Sequence, residues 1–141
     1  MSGECTALYE KWAEEKILGA KDEIYRMMVE DNRLVHRRVF NSCRDLGLVG
    51  RVVRVDGKIV AYTFGYFLNK DTFCDLLEIA DPRFKGLATY IFWQLCNDPV
   101  LRDTKFINVM DDFVPESVNR TKMSFRPAAL LPSYTVSPKV L

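Results

Sequence analysis

With 141 residues, 48% of them hydrophobic and 28% charged, the chain has the length and composition of one ordinary globular domain with its own core. Its 20 Lys and Arg balance 19 Asp and Glu, so no bulk field draws it to nucleic acid or an anionic membrane. Cys5, Cys43, Cys74 and Cys96 match no zinc-ligand spacing, no run nears the roughly 20 apolar residues of a membrane span, and residues 1–5 lack the features of a signal peptide. A reducing, cytoplasmic setting is expected, with no metal and no integral membrane segment.

Two helical stretches come first. Leu8, Trp12 and Leu18 make a loose apolar stripe through residues 6–19. A second helical region runs from Asp22 to Leu46, with room for a break at Asp31-Asn32. Val35, Val39, Cys43 and Leu46 recur on one face before Gly47 at the C-terminal cap. The same region carries Arg26, Arg33, Arg37 and Arg44 on one face, open to tRNA or a lipid headgroup, or simply solvated and paired with acids such as Glu23 and Glu30. His36, the single histidine, has no ligand partner at useful spacing, which argues against a zinc or Ser-His-Asp site.

The pattern then changes from helical to alternating. Residues 49–55 read as a strand, Asp56-Gly57 as a hairpin turn and residues 58–68 as a second strand. After Asn69-Lys70-Asp71, residues 72–80 read as a third strand, closed by Asp81-Pro82. A helix from Leu87 to about Asn97 presents Leu87, Ile91 and Leu95 on one face. A fourth strand over 105–110, a short helix opened by Pro115, and a last strand in 128–136 complete the expectation. The fold class is mixed α/β over a single domain, 1–141: N-terminal helices, an antiparallel meander, then a β-α-β crossover that makes the third and fourth strands parallel neighbours.

One turn carries chemistry. Arg83-Phe84-Lys85-Gly86-Leu87-Ala88 joins a strand to a helix, where backbone N–H groups and the helix dipole favour an anion. Gly86 allows close approach, small Ala88 does not block it, and Arg83 and Lys85 add charged donors. The pattern reads as a phosphate cradle or as a tight turn capped by glycine.

R-x-x-G-x-A after a three-strand meander resembles the acyl-CoA pyrophosphate loop of the GNAT acyltransferase fold. The chain also resembles the GNAT-like C-terminal region of the phosphatidylglycerol lysyltransferase family. That likeness rests on Leu46-Gly47-Leu48-Val49-Gly50, Val55-Asp56-Gly57-Lys58-Ile59-Val60-Ala61-Tyr62, Glu78-Ile79-Ala80-Asp81, Phe106-Ile107-Asn108 and Arg120-Thr121-Lys122-Met123-Ser124-Phe125-Arg126-Pro127. Ile79 stands where that family tends to carry Lys, and Val109 and Met110 interrupt its charged stretch. The resemblance implies splayed third and fourth strands that hold a pantetheine arm against the backbone of Leu77 and Ile79, with acyl-CoA (acetyl-CoA) as co-substrate.

Glu78 is the first choice for general base, on a strand face read as shared with Cys74 and Leu76; Asp75 is a rival on the opposite face with Phe73, Leu77 and Ile79. Asn108 is placed to hydrogen-bond substrate across the strand gap, while Asp111 and Asp112 begin a loop. The resemblance adds Tyr134 as general acid for a leaving thiolate. The function expected is acyl transfer from acyl-CoA to a small-molecule or peptide amine. The alternatives are aminoacyl transfer from aminoacyl-tRNA, as the family resemblance suggests, and a non-catalytic binding module. A homodimer would cover the sheet edge left by a chain that starts with helices instead of a strand.

Overall fold

The computed structural model describes residues 1–110, 116–132, 134, 136 and 137. They fall into two compact units, Met1–Asn108 and Val109–Leu141.

In the first unit, α1 (Ser2–Gly19) buries Cys5, Leu8, Tyr9 and Ala13, which share one helical face. Trp12 packs at its margin, whereas Leu18 is exposed. α2 (Glu23–Ser42) starts at Asp22, whose carboxylate accepts the Ile24 N–H, and runs unbroken past Asp31-Asn32. Its buried residues are Val29, His36 and Val39, flanked by Tyr25, Phe40 and Cys43. Val35 and Leu46, expected on the core face, are exposed. Val39 and Cys43 keep the expected face, but it is rotated toward an aromatic set that includes the buried histidine. His36 stacks on Tyr9 with ring centroids 3.9 Å apart, and its Nδ1 lies 2.7 Å from the Tyr62 hydroxyl. The arginine stripe is largely tied up locally: Arg33 pairs with Glu10 and Glu30, Arg37 with Glu10, and Arg26 donates to the Ala20 carbonyl.

β1 (Val49–Val55), β2 (Lys58–Asn69) and β3 (Thr72–Ala80) form the antiparallel meander, and β4 (Phe106–Asn108) joins parallel to β3. The sheet order is β1-β2-β3-β4. α1 and α2 cover one face through Ile59, Tyr62, Phe64, Leu77 and Ile79. α3 (Leu87–Cys96) covers the other, with Leu87 and Ile91 on Val60 and Ala61, and Leu95 on Phe73. β4 is shorter than the sequence suggests, since only Thr72, Phe73 and Cys74 of β3 pair with it.

In the second unit, α4 (Glu116–Ser124) is the one helix among the described residues. Pro115, Asp111 and Asp112 lie outside the described residues. The described part of 128–137 holds no strand, against expectation. Pro127 and Pro132 withhold the N–H groups that a ladder needs.

Candidate active site

The site is built on β3. Phe64 pairs with Leu77, yet Gly65 pairs with Asp75, so Leu76 has no partner of its own and the strand bulges there. A bulge resets the two-residue alternation. Leu77 and Ile79 turn toward α1 and α2, while Ala80 and Phe73 face α3. Glu78, opposite Thr63, and Asp75, opposite Gly65, therefore share the α3 face. This corrects the reading that set Asp75 opposite Glu78 and gave its face Leu77 and Ile79. Gly65 is required beside the bulge, because a Cβ there would run into the Cys74 carbonyl and the Phe73 ring.

Buried Thr63 donates its hydroxyl to Asp75 Oδ1 at 2.7 Å. The half-buried Glu78 carboxyl is pushed up to about 8, by burial first and then by the charge of Asp75. Both carboxylates also act on the Cys96 thiol at the end of α3, raising it after burial has done so. Asn108 ends β4 opposite Cys74, beside Asp75 in the register, and is half-buried. Beyond Cys74 the ladder to β4 stops, so among the described residues Asp75 and residues 77–80 pair in the sheet with β2 alone. Asp81 donates its N–H to the Val60 carbonyl, so by alternation Leu77 and Ile79, expected to offer their backbone to a ligand, turn it toward β2, and Glu78 and Ala80 turn theirs toward the β4 side.

The turn follows directly. Gly86 is the α3 N-cap at φ +82°, a left-handed conformation that only glycine adopts readily; a Cβ there would meet open space, so conformation and not crowding selects it. Arg83, Lys85, Gly86 and Ala88 are exposed, and Leu87 is buried under α3. Asp81 organises the turn from below. It is buried, accepts the Arg83 backbone N–H at 3.1 Å and Arg83 Nη2 at 2.6 Å, and pairs with Lys11 Nζ of α1 at 3.1 Å. The Arg83 guanidinium, chiefly, holds the Asp81 carboxyl well below the usual carboxylate range.

Among the described residues, the first unit thus brings together Glu78, Asp75, the β3 edge at Glu78 and Ala80, the turn at 83–88, and Asn108 at the end of β4. Tyr134 belongs to the second unit, exposed and outside any helix or strand. Sequence reasoning missed Thr63, Asp81 and Lys11. Asp81 had one signal, an acid two residues before Arg83; Thr63 and Lys11 are found only through strand register and helix packing. Among the described residues no cluster of His, Cys, Asp and Glu fits a metal ion, and no helix is long and apolar enough to cross a membrane.

The family model described as phosphatidylglycerol lysyltransferase, C-terminal, matches residues 1–137. A solved structure of a conserved protein of unknown function from Bacteroides thetaiotaomicron is similar, with 27% identity and a TM-score of 0.75 over 92% of this chain. The chain spans only 42% of that protein. A ribosomal-protein-alanine N-acetyltransferase from Brucella melitensis biovar Abortus 2308 shares the fold, with a TM-score of 0.58, 20% identity, and coverage of 74% of this chain and 80% of its own. No curated protein sequence matches.

Proposed function

Because this chain belongs to the phosphatidylglycerol lysyltransferase C-terminal family, with a GNAT-like fold, we propose that it is a transferase that moves an acyl group from acyl-CoA to an amine. Glu78 carries the reading. Its carboxyl, pushed up to about 8, sits on the strand whose edge β4 leaves open, just ahead of the Asp81 turn. Such a group can take a proton from an attacking amine near neutral pH, as an ordinary surface glutamate cannot.

The residues present fit acyl-CoA as substrate. The β3 edge alongside Leu77 and Ile79, where the alternate residues Glu78 and Ala80 turn their backbone groups away from β2, offers an extended edge to the pantetheine arm. The N-terminus of α3 at Gly86 and Ala88, with Lys85, offers donors to the phosphates, whereas Leu87 gives its N–H to the Phe84 carbonyl and Arg83 gives Nε and Nη2 to Asp81. Asn108, at the end of β4 opposite Cys74, would orient the reacting groups by hydrogen bonding. The amine nitrogen then bonds to the acyl carbon, Glu78 accepts the proton the nitrogen loses, and the C–S bond breaks to release a thiolate that takes up one proton.

The family description favours a second donor, an aminoacyl ester on tRNA, for which the same proton transfer holds but a C–O bond breaks. Calorimetry with CoA and filter binding with charged tRNA separate the two. Binding of CoA that weakens in Lys85→Ala supports the first reading. No heat with CoA at about millimolar concentration refutes it, and retention of charged tRNA alone replaces it with the second.

A further inference from the structure

The reading of Glu78 as base leaves Asp75 and Thr63 without a role, yet they are the most specifically placed polar groups on that face. An unbulged β3 would put residues 75 and 78 on opposite faces. The extra residue at Leu76 brings the two carboxyls to one side, and Gly65 provides the space that the distorted ladder needs. Thr63 is 1% exposed, stands opposite Glu78 in the register, and gives its hydroxyl to Asp75 across the sheet. A buried hydroxyl donating to a carboxylate favours the ionised form of that carboxylate and fixes its orientation. The bulge, the glycine and the threonine act together: they hold a negative charge beside Glu78.

We propose that Asp75, oriented by Thr63, is a positioning residue for Glu78, a fixed anion that makes Glu78 hold its proton until rising pH, or the positive charge of an incoming ammonium group, causes its release to water. This rests on the reading of Glu78 as the base, and it adds a preference. The amine acceptor meets the site as a cation, is drawn by the Asp75 carboxylate, and surrenders its proton to Glu78 only after Glu78 has lost its own. Among the described residues, Cys96 on α3 also faces this pair, its thiol raised by burial first and then by both carboxylates. Burial alone would raise Glu78 as well, so the contribution of Asp75 is a separable part of the shift.

The test needs no substrate. The Glu78 carboxyl is followed by carbon NMR as a function of pH in the intact chain, its resonance assigned by loss in Glu78→Gln. Asp75→Asn is expected to lower the Glu78 midpoint by roughly one pH unit, leaving it above that of an exposed glutamate because burial persists. Thr63→Val is expected to move the midpoint the same way by less, and Thr63→Ser, which restores the hydroxyl, to return it to the wild-type value. An unchanged midpoint in a folded Asp75→Asn protein overturns the proposal, as does a Thr63→Ser protein that behaves like Thr63→Val. Circular dichroism of each variant identifies misfolding; Asp75→Glu, which keeps the charge, then takes the place of Asp75→Asn, and a Glu78 midpoint that falls as far as an exposed glutamate's overturns the proposal. A midpoint that shifts as expected while Glu78→Gln retains full transferase activity refutes the base reading and leaves the coupling standing.

Discussion

Replacing Glu78 by Gln tests the central residue even without an assay for turnover, because a raised carboxyl leaves a signature in stability. Folded Glu78 holds its proton up to about pH 8, whereas an unfolded glutamate loses it near its ordinary value of 4.5. Between those values the folded state binds more protons than the unfolded one, so the stability this group contributes is full at low pH and is lost as pH rises. From 4.5 to pH 7 is about 2.5 pH units, which at roughly 1.4 kcal/mol per unit is about 3 kcal/mol, a large fraction of the total stability of a domain this size. Glu78→Gln keeps the shape and removes the titration. The variant is therefore expected to match wild type near pH 4.5 and to become more stable than it as pH rises, the gap levelling off above about 8. Urea denaturation between about pH 5 and about pH 9 reads this directly. Curves for the two proteins that run parallel across that range would falsify the claim that Glu78 is a buried, proton-retaining carboxyl. If acyl transfer is found, kcat/KM should rise toward a limb near pH 8 and fall by roughly 10² to 10⁴-fold in the variant.

His36 gives the opposite slope: burial pushes it down to about 4, so its contribution is present above pH 6.5 and lost as pH falls toward 4, up to roughly 3 kcal/mol. Measuring that limb in the Glu78→Gln background isolates it, and a flat profile there contradicts the buried neutral histidine. Gly86→Ala should cost about 1 kcal/mol or more through its positive φ and weaken CoA binding; unchanged affinity and stability together would refute the role of the turn. Gly65→Ala should be harsher, about 1–3 kcal/mol of overpacking against Phe73 and the Cys74 carbonyl, seen as a lower urea midpoint. Asp81→Asn leaves Arg83 and Lys11 without their shared carboxylate and should cost roughly 1–3 kcal/mol, a prediction that fails if its urea midpoint equals that of wild type.

Much of the fold can be read from local signals because those signals coincide. The Val-rich run at 49–55, the Asp56-Gly57 turn, and the stripe of Leu87, Ile91 and Leu95 each specify an element whose tertiary environment agrees with its propensity. Residues 72–80 form a strand with the bounds that the alternation suggests. Where local and global preferences diverge, the pattern misleads. Of the expected stripe, Val39 and Cys43 do pack on the core, but Val35 and Leu46 are exposed and the buried face of α2 holds His36 and Phe40 instead, because Tyr9 and Tyr62 supply aromatic partners that no helical periodicity reveals. A lone histidine reads as polar; buried against a tyrosine hydroxyl, it is part of the core.

The candidate site shows the same limit more sharply. Glu78 and the turn at 83–88 were readable because strand-then-glycine-then-helix is a local pattern. Their relation to Asp75 was not, since alternation counts residues, whereas facing is decided by the ladder. One unpaired residue at Leu76 inverts the assignment of every position on one side of it, and nothing in the run of residues 72–80 marks that position. The signal lies on the neighbouring strand, at Gly65, where a glycine interrupts an otherwise bulky β2. A glycine inside such a strand indicates a bulge or a close backbone approach nearby, and here it indicates both. The chemistry proposed for Glu78 thus depends on a residue on another strand that carries no chemical group. Gly65→Ala should therefore shift the Glu78 titration along with the stability, because relaxing the bulge would carry Asp75 away from the face it shares with Glu78. A destabilised Gly65→Ala protein whose Glu78 still titrates near 8 would show that the pair does not depend on the bulge.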